Sequence, residues 1–442
     1  MKFLRYFYHF LLLIALTLST NSFLWIEKDL RLLFIFIPAV ILVHLLAGLF
    51  FLKIPQKRLR ICYHGAVLLV LFLISNAVSI VFHTVTVFRL PNDDVESWLW
   101  SVLFSTLVEA GVFWHGILCV YLTSAQLGIR YRVICAICGI IPIVQLFALY
   151  KILKVSFKEI RFESEKDLLN EKRKDDRICQ TKYPLLFVHG VFFRDSEKLN
   201  YWGRIPKELV KNGATVFYGN HESAASVAAS AEELTTRIRE IVTTTGCEKV
   251  NIIAHSKGGL DIRYALSEMG IAPYVASLTT INTPHRGCLF VDTLLKYAPE
   301  SFAYCIASTY NASFQILGDK HPDFLSAVSD LTASACKERN EKLKLPEGIY
   351  YQSAGSVLSR ASGGRFPLNV SYHLAKHFEG ANDGLVSEES FSFGERYTLL
   401  RAQGKRGISH GDMIDLNREN IDGFDVREFY VQVVAQLKNQ GL

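Results

Sequence analysis

Long apolar runs fill most of the first 150 residues, and they restrict the possible folds more than any other feature of the sequence. A helix that crosses a hydrocarbon core about 30 Å thick needs roughly 20 apolar residues, because each residue adds about 1.5 Å. Five segments approach this length with few charges, which predicts a multi-pass membrane region. These segments are residues 4–26, 32–52, 62–88, 98–127 and 133–150.

The first of these segments allows two interpretations. Lys2 and Arg5 precede its apolar stretch, as they would in a secretory signal peptide. Its apolar length favours an uncleaved anchor instead. Under either interpretation the chain is an integral membrane protein with several spans.

The connections between the segments predict an orientation, because Lys and Arg are retained on the cytoplasmic side. The loops at residues 53–60 and 130–132 carry basic residues and are expected in the cytoplasm, whereas residues 92–96 form an acidic loop expected outside. Alternation across five spans then places the rest of the chain on the extracytoplasmic side. Basic residues at 151–161, directly after a short last segment, oppose this placement.

Ionisable side chains lie inside the apolar segments, at His44, His64, His83, Glu109 and His115. Such groups mark a transport pathway, hydrogen bonds between helices, or side chains that reach out from a helix end. Five spans without an internal repeat are few for a transporter. We therefore expect hydrogen bonds between helices or side chains at helix ends.

The net charge of +6 does not require a nucleic-acid partner. Much of the excess lies in short basic clusters beside apolar segments, where membrane topology explains it. The nine cysteines lack metal-ligand spacing, and Cys135 and Cys138 lie within an apolar run, where thiols behave as small hydrophobic groups. Membrane lipids are therefore the expected surroundings, and the sequence indicates no protein partner.

From residue 183 onward, short apolar runs alternate with amphipathic stretches of helical length. This alternation is typical of a mostly parallel sheet covered by helices on both faces. The predicted organisation is a membrane region at 1–155, a charged solvated linker at 156–182 and a globular domain at 183–442. Strand candidates are residues 184–188, 214–217, 250–253, 275–281, 349–353 and 397–402, and the clearest helices are 202–212, 225–244 and 259–269.

Residues 250–264 (VNIIAHSKGGLDIRY) carry the clearest chemical signal. A buried strand runs into Ser256, small residues flank the serine, and a helix follows, which is the pattern of a nucleophile elbow in an α/β-hydrolase fold. The small residues are needed because the turn is tight and strained. A serine that only caps the helix would be the structural alternative. We interpret Ser256 as the nucleophile.

An acyl-transfer nucleophile also needs donors for the developing oxyanion. The first strand ends at a His-Gly turn, where Gly190 lets the backbone amide of Val191 face the elbow. The second donor is expected to be the amide of Lys257, directly after the serine. An ordinary turn at the end of a strand would be the alternative to an oxyanion site.

The order of catalytic residues in this fold is serine, acid, histidine. Only His410 follows residue 377, in a glycine-flanked loop, so it is the candidate general base. Asp383, within an Asn-Asp-Gly turn, is the candidate carboxylate that orients the imidazole. The same three residues are also a plain turn signal.

These motifs resemble the bacterial true lipases of the Pseudomonas/Burkholderia and Bacillus/Staphylococcus types. The resemblance covers about residues 183–435 and rests on YPLLFVHG at 183–190, AHSKGGLDIRY at 254–264, TINTPHRG at 280–287 and NDGLVS at 382–387. It implies a triad of Ser256, Asp383 and His410 and oxyanion donors at Val191 and Lys257. The membrane-spanning third of the chain has no counterpart in those secreted enzymes.

The family's calcium site matches this sequence only in part. Asp412 matches one of its two aspartates, but no Asp occurs between Ile349 and Asn382 to match the other. Asp412 is either a calcium ligand or a loop carboxylate. The family's disulfide partner after NDGLV is also missing.

Residues 289–331 occupy the position of the family's helical lid. Their mixed character fits either a mobile lid over an acyl pocket or fixed core helices.

The expected activity is hydrolysis of carboxylic esters with medium or long acyl chains, through an acyl-enzyme at a membrane surface, without an organic cofactor. The same triad would also serve an acyltransferase or a thioesterase. A catalytically silent membrane scaffold is the alternative outside the enzymes.

Overall fold

The computed structural model describes residues 2–442 except 50–52, 90–93, 140, 142–143, 192–199, 298 and 318. The chain divides into two compact units, Met1–Lys172 and Arg173–Leu442. Residues 92–93 of the acidic loop predicted outside the membrane lie outside the described residues.

Helices are the regular secondary structure of the first unit in its described residues. Three of them, Lys2–Thr20, Lys57–Val87 and Val95–Thr123, are long and apolar enough to cross a membrane. The helices are α1 (Lys2–Thr20), α2 (Phe23–Ile26), α3 (Leu33–Leu46), α4 (Lys57–Val87), α5 (Val95–Thr123), α6 (Gly128–Cys138) and α7 (Val144–Lys172).

Two of the five predicted spans differ from the structure. The second contains α3, which has only 14 residues and includes Pro38. The fifth, predicted at 133–150, is not one helix, because α6 ends at Cys138 and α7 begins at Val144. Hydropathy detects apolar character but not where a helix is interrupted, so the described residues contain three helices long and apolar enough to span a membrane, where the sequence predicted five.

The predicted linker is also largely helical, since α7 continues to Lys172. Its charged residues are not all solvated. Glu159 is buried and accepts hydrogen bonds from Arg58 Nη1 at 2.5 Å and from Ser124 Oγ at 2.6 Å. These contacts tie α7 to the start of α4 and to the end of α5.

Polar side chains join the helices of this unit, as the sequence predicted. His44 Nδ1 lies 2.9 Å from His115 Nδ1, Ser75 Oγ donates to Glu109 Oε1 at 2.6 Å, and His83 Nε2 lies 2.9 Å from Ser105 Oγ. Each pair connects two different helices, so the prediction of hydrogen bonds between helices is confirmed.

The second unit is built on a six-stranded sheet in the order β2-β1-β3-β4-β5-β6, and all five pairings are parallel. The strands are β1 (Leu185–Val188), β2 (Val216–Tyr218), β3 (Val250–His255), β4 (Val275–Ile281), β5 (Tyr350–Ser356) and β6 (Arg396–Leu400). All six strand predictions are confirmed, because buried apolar runs bounded by turn residues are the strongest local signal of a parallel sheet.

Helices cover both faces of this sheet, each over a hydrophobic core. One core packs Phe187 and Trp202 against Tyr430, and the other packs β1, β3 and β4 against the helices Val227–Thr245 and Lys257–Glu268. The helices are α8 (Ile205–Lys211), α9 (Val227–Thr245), α10 (Lys257–Glu268), α11 (Leu289–Tyr297), α12 (Glu300–Leu317), α13 (Phe324–Ser329), α14 (Ala333–Lys342), α15 (Leu368–Glu379) and α16 (Val426–Asn439).

The predicted helix at 202–212 begins later than expected. α8 starts at Ile205, with Pro206 in its first turn, where the fixed φ of proline and its missing N–H are tolerated. Trp202 precedes the helix and is fully buried in the core. The resulting fold is that of an α/β-hydrolase, with the carboxyl ends of β1, β3 and β4 at one edge of the sheet.

Candidate active site

Ser256 occupies the turn between β3 and α10 with φ 53° and ψ −130°, a conformation that costs energy for a residue with a side chain. Neighbouring backbone approaches it closely. A Cβ on Gly190 would lie 2.8 Å from Ser256 Cβ, and a Cβ on Gly258 would lie 2.4 Å from the carbonyl oxygen of His189. The small residues around the serine are therefore required by the close packing of this elbow.

Asp383 and His410 meet in a buried hydrogen bond of 2.6 Å between Oδ2 and Nδ1. The Asp383 side chain is fully buried. Its other oxygen, Oδ1, accepts from the backbone amides of Leu385 at 2.9 Å and Val386 at 2.8 Å. The Asn-Asp-Gly turn thus supplies both the bend and the amides that hold the carboxylate, so the two interpretations of this motif are compatible.

Asn282 is a further site residue that the analysis of the residues did not single out. It follows β4 with φ 47°, a region that asparagine tolerates better than most residues. Its Nδ2 donates to Asp383 Oδ2 at 2.6 Å and to Ser356 Oγ at 2.8 Å. The signal was an asparagine directly after a buried strand, within the TINTPHRG motif.

His255 places the His410 ring beside the elbow. The two imidazole centroids lie 4.5 Å apart, and His255 directly precedes Ser256. Tyr201 Oη accepts from the Gly190 amide at 3.1 Å and lies within hydrogen-bond distance of His255 Nδ1, at 2.7 Å. Burial lowers the pKa of His255 well below its usual value, which keeps this ring neutral.

The two predicted oxyanion donors flank Ser256. Val191 is buried and follows Gly190, which contacts the serine, and Lys257 directly follows the serine. Residues 192–199, which continue the first of these loops, lie outside the described residues. The structure therefore brings both backbone segments to the elbow.

The Lys257 side chain is buried and held by α9 and α10. Its Nζ donates to Asp261 Oδ1 at 2.7 Å and to Ser230 Oγ at 2.9 Å. Burial raises the pKa of Asp261 to about 7, against the opposing effect of the Lys257 ammonium. These contacts fix the first turn of α10, whose first amide belongs to Lys257.

Asp412 forms a network within the loop that carries His410. It accepts from Arg406 Nη1 at 2.7 Å and from the amide and hydroxyl of Ser409 at 2.8 and 2.7 Å. Among the described residues, no group of three or more His, Cys, Asp or Glu side chains could hold a metal ion. The contacts of Asp412 fix the loop, and its role as a calcium ligand stays a prediction.

Three helices, α11 to α13, occupy the predicted lid region. The last part of this region is hydrogen-bonded to the loop before α9 and to the first residue of that helix. Asp319 Oδ2 accepts from Ser223 Oγ at 2.7 Å, and Asp330 Oδ2 accepts from the Val227 amide at 2.6 Å. By contrast, Leu294 and Tyr297 of α11 are exposed. The movement of a lid stays a prediction for α11 and α12.

Comparisons with known proteins show the family to which this chain belongs. A family model described as "Alpha/beta hydrolase of unknown function (DUF900)" matches residues 211–300. A triacylglycerol lipase of Vibrio cholerae is 30% identical over 290 residues, which cover 60% of this chain and 90% of the relative. The chain belongs to the triacylglycerol lipase family. It is a serine ester hydrolase of the lipase and esterase type.

Other members of the lipase family share a shorter stretch. A triacylglycerol lipase of Burkholderia plantarii is 33% identical over 172 residues, which cover 36% of this chain and 47% of the relative. Among solved structures, the mature Bacillus licheniformis lipase BlEst2 is 25% identical, with 54% of this chain and 88% of that chain covered and a TM-score of 0.41. The Staphylococcus hyicus lipase is 19% identical, with 59% of this chain and 97% of that chain covered and a TM-score of 0.45.

Proposed function

We propose that this lipase is membrane-anchored and cleaves carboxylic esters of lipid-like substrates through an acyl-enzyme at Ser256. The observation that carries the proposal is the buried hydrogen bond between Asp383 and His410, next to a serine held in a strained elbow. A strained, closely packed serine beside an oriented imidazole is the arrangement that activates a hydroxyl for attack on a carbonyl.

In the first step, His410 Nε2 takes the proton of Ser256 Oγ as the oxygen attacks the ester carbonyl carbon. Asp383 holds the Nδ1 proton of the imidazole and stabilises the imidazolium that forms. The amides of Val191 and Lys257 donate to the oxyanion, and each such donor contributes about 3 kcal/mol in comparable enzymes. His410 then protonates the leaving alcohol, and water repeats the sequence to release the acid.

Asn282 and the two turn amides have a supporting role in this scheme. Together with His410 they provide Asp383 with four hydrogen bonds, which fix the direction in which its oxygens point. A fixed carboxylate selects one tautomer and one rotation of the imidazole. The chain's own residues therefore set up the proton transfer before a substrate binds.

Anchoring in a membrane is supported by α1, α4 and α5, which have the length and apolar character of spanning helices. Several side chains of α4 and α5, Ile80, Val81, Leu107 and Leu122 among them, are largely exposed. Exposed apolar surface of this extent is unfavourable in water and favourable in lipid. An anchored lipase would meet esters where they are concentrated.

For the side of the membrane, we propose the cytoplasm in place of the extracytoplasmic side expected from five crossings. Ser124, which directly follows α5, donates to Glu159 of α7 at 2.6 Å. This contact keeps α7 at the end of the helical unit where α5 finishes. Gln56 Nε2 donates to Asp167 Oδ2 at 2.7 Å, which keeps the rest of α7 beside the basic loop at 53–60. Basic loops stay in the cytoplasm.

The activity is tested with p-nitrophenyl esters from acetate to palmitate, using the detergent-solubilised full chain. Turnover is expected to rise with acyl length and to fall by several orders of magnitude in Ser256→Ala. Ser267→Ala, on the helix that follows the elbow, is the matched control and is expected to keep wild-type turnover. Folded wild-type protein without Ser256-dependent turnover on any ester would contradict hydrolysis, and transfer of the acyl group to an added alcohol or thiol would then identify the acceptor.

Two further measurements test the nucleophile and the side of the membrane separately. A fluorophosphonate probe is expected to label wild type but not Ser256→Ala, whatever the preferred substrate. In a bacterial host, green fluorescent protein fused after Leu442 is expected to fluoresce, and alkaline phosphatase fused there is expected to be inactive. The reverse pair of results would restore the extracytoplasmic placement.

A further inference from the structure

A cavity of about 530 Å³ opens in the helical unit between α1, α4 and α7. Its volume lies in the range of ligand pockets in proteins. Two lining side chains are exposed, Tyr6 at 63% and Arg161 at 81%, so the cavity is open to the surroundings of the helices. None of the residues to which the active-site chemistry is assigned lines it.

The inner wall of the cavity is apolar. It is formed by buried side chains of α4 and α7 and of the loop before α4, and together they present a continuous hydrocarbon surface suited to an acyl chain. These residues are Ile54, Tyr63, Val67, Leu71 and Ile160.

The mouth of the cavity is basic. Arg5, Lys53 and Arg161 all line it, and Glu165 is the only acidic residue that does so among the described residues. Glu165 pairs with Arg161 at 2.9 Å. In the described part of the chain, no ion pair is formed by Arg5 or Lys53, and the Arg5 guanidinium carbon lies 5.2 Å from the centre of the Tyr6 ring.

We propose that this cavity binds an anionic phospholipid, with an acyl chain against the apolar wall and the phosphate between Arg5 and Lys53. The proposal depends on the membrane placement of the helical unit but not on catalysis. Two cations without a carboxylate partner leave the mouth with a positive charge that a zwitterionic headgroup cannot neutralise. Basic pockets between helices on the cytoplasmic side recognise anionic headgroups in this way.

The charge pattern favours a phospholipid over a free fatty acid, which has the same anionic and apolar chemistry. A fatty acid brings one carboxylate on a single chain, and one cation suffices for it. A phosphate diester presents several oxygens that can accept from Arg5 and Lys53 together. The test includes both ligands as separate arms.

The experiment measures lipid binding to the full chain carrying Ser256→Ala, so that no lipid is consumed and a failure of the proposed catalysis leaves the result unaffected. Fluorescently labelled phosphatidylglycerol is titrated in neutral detergent micelles, with unlabelled phosphatidylglycerol, phosphatidylcholine and palmitate as competitors. Phosphatidylglycerol is expected to compete, and the other two are expected to compete at least about tenfold more weakly.

Variants separate the site from general attraction. Arg5→Gln/Lys53→Gln is expected to weaken binding at least about tenfold. Lys57→Gln/Arg60→Gln removes the same charge from exposed positions near Lys53 that do not line the cavity, and it is expected to bind like the parent. Val70→Trp fills the apolar part without changing the charge and is expected to abolish binding.

Three results would overturn the proposal. Equal weakening in the two double variants would mean general electrostatic attraction, and competition by palmitate as strong as that by phosphatidylglycerol would mean a fatty-acid site. Unchanged binding in Val70→Trp would place the lipid elsewhere. Size-exclusion chromatography of each variant confirms that it is folded before binding is compared.

Discussion

Each unit of the chain contains a buried carboxylate that accepts four hydrogen bonds, Glu159 in the helical unit and Asp383 in the hydrolase unit. The side chains are 1% and 0% exposed. Glu159 accepts from Arg58 Nη1 (2.5 Å), Ser124 Oγ (2.6 Å) and the amides of Ala125 (3.0 Å) and Gln126 (3.1 Å). Asp383 accepts from His410 Nδ1 (2.6 Å), Asn282 Nδ2 (2.6 Å) and the amides of Leu385 (2.9 Å) and Val386 (2.8 Å).

The two carboxylates differ in the side chain that pairs with each of them. A guanidinium has no lone pair with which to take up a proton, so the pair of Arg58 and Glu159 can only hold helices together. An imidazole can both accept and donate a proton, and the His410 ring lies beside the Ser256 elbow. Full hydrogen bonding of a buried carboxylate therefore does not by itself identify a catalytic group; the partner and its neighbour do.

The largest effect is expected for Asp383→Asn. The amide cannot accept the Nδ1 proton as the carboxylate does, so the wrong imidazole tautomer is favoured and kcat is expected to fall by about four orders of magnitude. The structure around the turn is expected to persist, because the backbone bonds of residues 385 and 386 can still reach an amide oxygen. Ester turnover and circular dichroism check both parts, and a kcat within tenfold of wild type would remove Asp383 from the triad.

Glu159→Ala is expected to lower the stability of the chain but to leave its turnover unchanged, the reverse of Asp383→Asn. The Arg58 side chain is 37% exposed, so water compensates part of its charge, and the loss of the buried acceptor is expected to cost about 1–3 kcal/mol of stability. The folded fraction is expected to keep its kcat on soluble esters. Thermal unfolding in detergent and turnover per folded molecule test this, with Glu165→Ala, an exposed α7 carboxylate, as the control. A loss of turnover without a loss of stability would contradict the division of roles.

A third expectation concerns pH and a buried carboxyl beside the elbow. The pKa of Asp261 is raised by burial to about 7, from an ordinary value of 3.8. Between these values the folded state holds a proton that the unfolded state has released, so the stability of the hydrolase unit decreases as pH rises from about 4 to about 7.

Asp261→Asn is expected to remove this decrease in stability with pH, which amounts to a few kcal/mol at most between about pH 4 and about pH 7. Denaturant unfolding at both ends of the pH range, followed by the loss of esterase activity, measures the difference between variant and wild type. If the variant keeps the wild-type slope, another group titrates in this range.

The smallest effect is expected for Asn282→Gly. The change removes one hydrogen bond to Asp383 but tolerates the positive φ of this position. A hydrogen bond to a charged group contributes about 1.5–3 kcal/mol, so kcat is expected to fall roughly tenfold to a hundredfold with little change in KM. A change confined to KM would mean that Asn282 contacts the substrate instead.

The sequence was most informative where two patterns coincided. Residues 250–253 were predicted as a strand and 259–269 as a helix, and both exist because apolar runs, glycines and helical periodicity all indicate the same boundaries. The pairing of Asp383 with His410 followed from chain order and elimination. Asn282 could not be found in this way, since its role depends on contacts between β4 and a turn far along the chain.

The helical unit was less predictable for a physical reason. Residues 133–150 are apolar throughout, but hydropathy does not report the break between Cys138 and Val144. The mixed charges at 156–172 indicated solvent, whereas Glu159 is buried because Arg58 and Ser124 meet it there. Partners that lie far apart in sequence decided the second case.

The long sequence separations within the site have a consequence for the life of a nascent chain. The elbow precedes its base by more than a third of the chain, and Asn282 must wait for Asp383 to emerge before the two can bond. Contacts of such separation form late in folding. The pair of Asp383 and His410 can therefore form only after the chain has been synthesised beyond His410, so the enzyme stays inactive until almost the whole hydrolase unit has been assembled.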